Sequence, residues 1–254
     1  MQQYYSQITS LMLESGKMLL PKAGSSEDIG VKKSWLTQQD IEIEQKFIKL
    51  ISSFGSEHVV FGEEINNSFI ESPNIWVLDP ISHTFAFIHG LPHYAVVVAH
   101  RQNNQTVFAA VYDPSVNEFF LAEKDKGTTL NGKKVSVNTT SKDLCFMYDP
   151  DMEASWISKE ERLAVQASLM DYGRNKVFGS AALMHAYVAC GRAHGAIDIN
   201  KDPFTIFAGE LLVLEAGGVV SDEKQQNINL DTQGVISSNG IIHNQLVDSW
   251  NKRK

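Results

Sequence analysis

Two short apolar runs, each followed directly by acidic residues, constrain this chain more than any other feature. Residues 59–61 lead through a glycine into Glu63 and Glu64, and residues 75–78 lead into Asp79. Short apolar runs bounded by turn residues predict buried strands. Because open α/β sheets bind ligands in the crevice at the carboxyl ends of their strands, we expect these acidic side chains to face one crevice.

Clustered carboxylates repel one another unless a positive charge lies between them. Mg²⁺ is the usual partner, because it takes oxygen ligands and keeps positions open for water and phosphate. The alternative is that these acidic residues simply lie in solvent, since Asp and Glu are mostly exposed in folded proteins. The cluster taken alone leaves both interpretations open.

Composition limits the classes of partner. The chain has 254 residues, of which 43% are hydrophobic and 20% charged, as is usual for a globular protein with a substantial core. A formal net charge of −8 disfavours non-specific binding to nucleic acid or to an anionic membrane surface. There is no apolar run near the ~20 residues of a membrane span and no pattern of a signal peptide. We therefore expect a cytoplasmic protein with neither a nucleic-acid nor a membrane partner.

Periodicity and turn residues predict the elements around the acidic runs. Apolar residues at helical spacing predict a first helix that ends at Pro21. Thr37 and Asp40 have the form of a capping box, which predicts a second helix to about Ser53. The dipeptide at residues 131–132, Asn-Gly, predicts a hairpin. Further strands are predicted over residues 94–99, 107–112, 118–122 and 144–147.

Further helices are predicted in the second half of the chain. Residues 153–172 are predicted to be one helix, and the GSAA residues at 179–182 are predicted to open a second, alanine-rich helix that runs to Cys190. Another helix is predicted to begin with Asp202 as its N-cap and Pro203 at its first position, and to end near Gly217. The histidines at 185 and 194 are interpreted as surface residues or as core residues with satisfied hydrogen bonds.

Several motifs occur together in a distinctive order: FGEE at 61–64, DPI-S-H-T at 79–84, GSAA at 179–182, P-x-x-x-x-A-G at 203–209 and EAGG at 215–218. In this order and spacing they resemble the inositol monophosphatase family of Mg²⁺-dependent phosphomonoesterases, from about residue 33 to residue 243. The resemblance implies an α/β (α+β layered) fold, the alternating αβαβα sandwich of that family. It also implies one domain over 1–254, with parts at about 1–140 and 141–254, and a homodimer.

The resemblance also assigns roles to residues. It implies a first metal site formed by Glu63, Asp79 and the carbonyl group of Ile81, and a catalytic set of Glu63, Thr84 and Asp40 that activates and orients a water. The capping role of Asp40 is the alternative to that catalytic role. The substrate contacts that the resemblance implies are Ser82, His83, Thr84, Ala181 and Asp198.

The chain departs from the family pattern at the second metal site. Where the family has D-P-I-D-G-T, this chain has Ser82 and His83 in place of the second Asp and the Gly, and Thr205 replaces the Asp of the P-W-D motif. Hydroxyl groups are neutral and weak ligands for Mg²⁺, and one charge-assisted contact is worth roughly 1.5–3 kcal/mol. Losing leaving-group stabilisation should cost on the order of 10²–10³ in rate. Because imidazole suits Zn²⁺ better than Mg²⁺, we expect Mg²⁺ at the retained site, with Mn²⁺ or Zn²⁺ as alternatives.

Three functions therefore stay open. The chain could bind a phosphorylated small molecule of the inositol or sugar phosphate class, or a metal, with little or no hydrolysis. It could be an active phosphomonoester hydrolase that uses Glu63, Asp79 and an altered metal site, with His83 recruited. It could instead be an interaction protein that uses only the surface of the fold. If the family chemistry has been lost, as in the first of these functions, His83 merely fills space.

Overall fold

The computed structural model describes residues 1–31, 35–150, 154–199 and 202–253. These residues form two β-sheets and seven α-helices. The helices are α1 Gln2–Leu19, α2 Gln38–Ser52, α3 Thr84–Ile88, α4 Lys159–Tyr172, α5 Ala181–Ala189, α6 Pro203–Glu215 and α7 His243–Asn251. The strands are β1 His58–Gly62, β2 Asn74–Ser82, β3 Ala95–Gln102, β4 Gln105–Asp113, β5 Glu118–Glu123, β6 Gly127–Leu130, β7 Lys133–Val135, β8 Cys145–Asp149, β9 Arg174–Val177, β10 Gly195–Asp198, β11 Val219–Ser221 and β12 Val235–Ser238.

The larger sheet contains β1 to β7 in sequence order. Strand β1 runs parallel to β2, and every later neighbour is antiparallel. Side chains alternate across β2: Trp76 and Leu78 pack with the apolar residues of α1 and α2, whereas Ile75 and Val77 pack with those of α5 and α6. This period of two is what a strand with both faces covered requires, so the sheet is buried between two helical layers.

The smaller sheet has the strand order β11-β12-β10-β8-β9. Met147 and Ala196 face α5 and α6, and Phe146 and Ile197 face the opposite side, where α4 and α7 cover them. Helices α5 and α6 therefore lie between the two sheets. The resulting layers alternate as αβαβα, as predicted from the sequence.

Local signals account for most of the element boundaries. Helix α1 ends just before a short 3₁₀ turn, Leu20–Lys22, that contains Pro21. Asp40 accepts the backbone N–H of Thr37 at 2.8 Å, which fixes the start of α2 as the capping box predicts. At the β6–β7 hairpin, Asn131 and Gly132 have φ values of +49° and +75°, which the Asn-Gly dipeptide accommodates. None of the described helices has the length and apolar character needed to cross a membrane.

In the second half, one predicted helix begins later than expected and two strands were not predicted. The predicted helix over 153–172 begins only at Lys159, because Ser158 and Glu161 form a capping box there. Its first predicted residue, Glu153, lies outside the described residues. The strands β9 and β10 were not predicted; β9 is a polar segment at the edge of its sheet, and edge strands carry weak alternation.

Candidate functional site

The first pair of predicted metal ligands lies at one edge of the larger sheet. In the parallel pair β1–β2, Gly62 is opposite Leu78, and the backbone N–H of Glu63 donates to the carbonyl oxygen of Leu78 at 3.2 Å. Glu63 and Asp79 therefore follow directly paired residues. Asp79 is 2% exposed and Glu63 is half-buried. The structure thus brings these two carboxylates to the same strand ends, as the sequence predicts.

The chain turns sharply just after them. The pairing of β2 with β3 is irregular between Asp79 and Ser82, and Ser82 is buried. The hydroxyl of Thr84 donates to the carbonyl oxygen of Ile81 at 2.7 Å. These contacts bring Ile81, Ser82 and Thr84 into one tight turn beside Asp79.

His83 adopts the left-handed conformation at this turn, with φ +68° and ψ +51°. That region favours glycine and costs an ordinary residue roughly 1–2 kcal/mol. A glycine at this position, as in the family pattern, would take the same conformation without this cost. The imidazole therefore stands on a backbone turn that is suited to glycine, which the sequence alone could not show.

The His83 ring is held from two sides. Its Nδ1 lies 3.2 Å from the carbonyl oxygen of His93, and its Cε1 and Nε2 would each lie 2.6 Å from a Cβ built on Gly179. Burial lowers the pKa of His83. Because a carbonyl can only accept, Nδ1 carries the proton, and in the neutral ring Nε2 has a lone pair. His83 thus occupies the space against Gly179 of the GSAA turn, two residues before Ala181.

The GSAA turn itself offers hydrogen-bond donors. Ser180 is the N-cap of α5 and is fully buried, and among the described residues its hydroxyl has no hydrogen-bond partner. The first N–H groups of a helix also lack partners within the helix. A free hydroxyl and a helix N-terminus together form a donor set suited to an anion such as phosphate.

Asp40 is fully buried near the acidic cluster. Its Oδ2 accepts from the backbone N–H and the hydroxyl of Thr37, at 2.8 and 2.6 Å. Burial raises the pKa of Asp40 to about 8; the Thr37 hydrogen bonds oppose this shift, and the charges of Glu64 and Glu63 add to it. Asp40 therefore forms the cap that was predicted as the alternative to its catalytic role. The hydroxyl of Thr84 donates its hydrogen bond to the carbonyl oxygen of Ile81.

Glu44 is a residue of this site that sequence reasoning missed. Its fully buried carboxylate accepts the backbone N–H groups of Glu64, Ile65 and Asn66 at 2.8, 2.9 and 3.0 Å. A Cβ on Gly62 would lie 2.3 Å from Glu44 Oε1, so only glycine allows this approach. The signal that could have found it is an acidic residue on the apolar face of α2, one turn after Asp40.

The start of α6 reaches the same edge of the larger sheet. The ring of Phe204 packs on that of Phe61 with centroids 4.6 Å apart, which places Thr205 near the end of β1. Thr205 is buried, and among the described residues its hydroxyl makes long contacts of 3.4 and 3.5 Å with Asp202. Asp202 caps α6 as predicted, through the N–H of Phe204 at 2.8 Å.

Asp198 lies at the end of β10 and is fully buried. Its Oδ2 is 3.9 Å from Nε2 of His185, and Nδ1 of His185 lies 2.8 Å from the hydroxyl of Ser237. Burial lowers the pKa of His185 to about 4, so the ring is neutral at pH 7. The sequence did not predict this pairing of Asp198 with a core histidine.

The donor groups fit one hard cation. Glu63, Asp79 and the Ile81 carbonyl provide only oxygen ligands, and one or two carboxylates with water are the usual protein ligands of Mg²⁺. The set expected at the second site contains a single carboxylate, Asp79, because Ser82 and Thr205 are neutral. Within the described ranges, no three His, Cys, Asp or Glu side chains are grouped so as to hold a metal ion.

Known structures share this architecture. The Thermotoga maritima IMPase superimposes with a TM-score of 0.88 at 27% identity, covering 100% of this chain and 98% of that one. The extragenic suppressor protein suhB from Bartonella henselae superimposes with a TM-score of 0.86 at 25% identity, covering 96% and 97%.

Curated relatives are similar in sequence over most of the chain. A Thermotoga maritima protein named fructose-1,6-bisphosphatase/inositol-1-monophosphatase is 29% identical over 257 residues, covering 95% of this chain and 93% of that protein. The Escherichia coli K12 protein named Nus factor SuhB is 35% identical over 214 residues, covering 81% and 78%. A relative with the name Nus factor gives no support to the expectation that this chain lacks a nucleic-acid partner.

The family comparison covers the whole length. Residues 1–253 match the sequence profile of the inositol monophosphatase family. This match, the shared αβαβα architecture and the order of the motifs confirm the resemblance seen in the sequence. The chain belongs to the inositol monophosphatase family.

Proposed function

We propose that this chain binds a phosphorylated small molecule of the inositol or sugar phosphate class together with one divalent cation, and hydrolyses it slowly or not at all. The observation that carries the proposal is the arrangement at the ends of β1 and β2. Glu63 and Asp79 directly follow paired residues of these strands, whereas Ser82 and Thr205 offer only hydroxyl groups. This arrangement supports binding of one cation without the charges of the second metal site.

Glu63, Asp79 and the Ile81 carbonyl are the groups that would hold the cation. The chemistry it supplies when bound is to polarise a phosphoryl oxygen and to lower the pKa of a water ligand. We expect the carboxylates of buried Asp79 and half-buried Glu63 to make this crevice negative. A phosphate dianion would be repelled from such a crevice without a compensating positive charge.

The opposite wall of the crevice offers donors to the phosphate. The Ser180 hydroxyl and the first N–H groups of α5 can donate to phosphate oxygens. His83 works against them, because its ring fills the space beside Gly179 and its neutral Nε2 presents a lone pair rather than a proton. We therefore expect weaker phosphate binding than a glycine at position 83 would allow.

We expect poor stabilisation of the leaving group in this site. Developing negative charge there would meet the hydroxyls of Ser82 and Thr205 instead of a cation held by carboxylates. Removing stabilisation of this kind costs on the order of 10²–10³ in rate. Slow hydrolysis with intact binding is the expected result.

Two other functions have specific support. The retention of Glu63, Asp79, Thr84 and Asp40, and a relative named as a phosphatase, favour an active hydrolase with one metal or with Mn²⁺ or Zn²⁺. The relatives named Nus factor favour an interaction protein. The first predicts that His83→Gly lowers activity, and the second predicts that Glu63→Gln changes no binding phenotype.

The test is phosphate release from inositol 1-phosphate and from an aryl phosphate, with Mg²⁺, Mn²⁺ and Zn²⁺ in parallel. Glu63→Gln controls for contaminating phosphatase. A triple variant with Ser82→Asp, His83→Gly and Thr205→Asp serves as the repaired enzyme. A slow wild type with turnover in the triple variant supports the proposal. Wild-type turnover at ordinary enzyme rates, abolished by Glu63→Gln, would refute it.

The same proposal includes the cellular form of the protein. By analogy with its family we propose that the chain is a single domain, that it pairs as a homodimer and that it acts in the cytoplasm. Light scattering coupled to size exclusion tests the homodimer: a mass near 28 kDa would contradict it, because one chain has a mass of 28.3 kDa.

A further inference from the structure

One buried carboxylate, that of Glu44, accepts hydrogen bonds from the loop that follows Glu63. Glu44 projects from α2 and is fully buried, and Oε2 accepts the N–H of Glu64 while Oε1 accepts those of Ile65 and Asn66. The loop turns over this carboxylate directly after Gly62. Three successive backbone donors thus converge on one side chain.

This arrangement leaves little freedom to the loop. A Cβ on Gly62 would lie 2.3 Å from Glu44 Oε1, so the strand end and the carboxylate are in direct contact. On the other side, the N–H of Glu63 is tied to Leu78 in the neighbouring strand. Glu63 is therefore fixed between a sheet hydrogen bond and the Glu44 cradle, which comprises Glu44 and the N–H groups of residues 64–66.

We infer that Glu44 is a positioning residue: it holds the Glu63 carboxylate where it can share a divalent cation with Asp79. The inference rests on the proposed function, because it requires a cation at these two carboxylates. Glu44 itself does not join the site, since among the described residues its carboxylate accepts from the backbone N–H groups of residues 64–66. Outer groups that orient metal ligands are commonly worth 10- to 100-fold in metal affinity.

Glu44→Gln is the sharpest perturbation. A carboxamide keeps the size of the side chain but replaces one acceptor oxygen with an NH₂ group, which would face the N–H of Glu64. Two donors then oppose each other, and the loop has to shift. The matched control is Glu42→Gln, two residues earlier on α2, where the side chain is exposed and accepts a hydrogen bond from the side chain of Gln38.

The experiment measures Mn²⁺ binding by electron paramagnetic resonance for the wild type, Glu44→Gln, Glu63→Gln, the double variant and Glu42→Gln. We expect Glu44→Gln to weaken Mn²⁺ binding by about 10- to 100-fold, and Glu42→Gln to leave it unchanged. Because Glu44 acts through Glu63, the double variant should bind no more weakly than Glu63→Gln alone. This non-additivity separates positioning from general destabilisation, which would add to the Glu63 effect.

The outcomes distinguish a failure of the Glu44 inference from a failure of the proposed function. Mn²⁺ binding that Glu63→Gln weakens but Glu44→Gln does not would overturn the inference and leave the proposed function intact. Additive losses in the double variant would also overturn it. A wild type that binds no Mn²⁺ would overturn the proposed function and the inference together. Amide hydrogen exchange at residues 64–66, faster in Glu44→Gln only, verifies that the variant is folded and that its loop is released.

Discussion

The stability of this protein should fall steeply in mild acid because of one histidine in the core. His100 lies on β3 and is fully buried. Its Nδ1 is 3.1 Å from the hydroxyl of Tyr5, its Nε2 is 3.2 Å from Asn74 Oδ1, and its ring stacks on Trp76 with centroids 4.2 Å apart. The two hydrogen bonds satisfy a neutral ring, and there is no carboxylate among these three partners to balance a positive one.

Burial lowers the pKa of His100 from 6.5 to about 3, and nearby His58 adds a smaller effect. Since the unfolded chain protonates His100 near pH 6.5, stability from the neutral ring is fully present above that pH. It is lost as the pH falls towards 3, with a slope of about 1.4 kcal/mol per pH unit. Between pH 6.5 and pH 4.5 this single group should cost about 3 kcal/mol.

Urea unfolding at pH 7, 6, 5 and 4.5 tests this magnitude. His100→Phe keeps a ring of similar size and cannot titrate, so its unfolding free energy should fall less steeply with acid than that of the wild type. The same experiment with His89→Gln, at an exposed position, provides the control. Other buried histidines contribute to both slopes, so the difference between them is the relevant quantity. Equal slopes for the wild type and His100→Phe would refute the reasoning.

Three further predictions concern single contacts. Gly62→Ala should destabilise the fold by about 1–3 kcal/mol in urea unfolding, because its Cβ would collide with Glu44 Oε1. Burial, opposed by Arg101, raises the pKa of Glu210 to about 7, so the stability from its neutral form is present below about pH 4.5 and lost as the pH rises through 7. At pH 8, the free energy of unfolding of Glu210→Gln should therefore exceed that of the wild type by up to about 3 kcal/mol. The difference should be smaller at pH 5. Ser158→Ala removes the cap of α4 and should cost about 1 kcal/mol in thermal unfolding, whereas an unchanged midpoint would show that the box contributes nothing.

The sequence predicted the parts of the site that depend on local patterns. The apolar runs before Glu63 and Asp79 were predicted to be buried strands, which the structure confirms, and their parallel pairing places Glu63 and Asp79 after paired residues. The capping box of Thr37 and Asp40 also follows from residues three positions apart. Such features need no knowledge of the rest of the chain, because the interacting groups are close in sequence or share one strand register.

The features that sequence reasoning missed depend on contacts between distant segments. Glu44 meets the backbone of residues 64–66 twenty positions later, and no pattern of side chains marks a backbone N–H as a partner. The pairing of His185 with Asp198 depends on how α5 packs against β10. The polar strand β9 has no apolar alternation, so only its hydrogen bonds to β8 define it.

His83 can be interpreted only from the sequence and the structure together. Its identity marks a departure from the family pattern, which the sequence shows directly. The structure adds that the backbone has kept a left-handed turn, at a cost of roughly 1–2 kcal/mol for a residue with a Cβ. The ring offsets part of this cost through its contact with the His93 carbonyl and its close packing on Gly179. A left-handed turn under strain, beside Glu63 and Asp79 and without carboxylates at positions 82 and 205, agrees with the function proposed above, in which the site binds a phosphorylated molecule and hydrolyses it slowly or not at all.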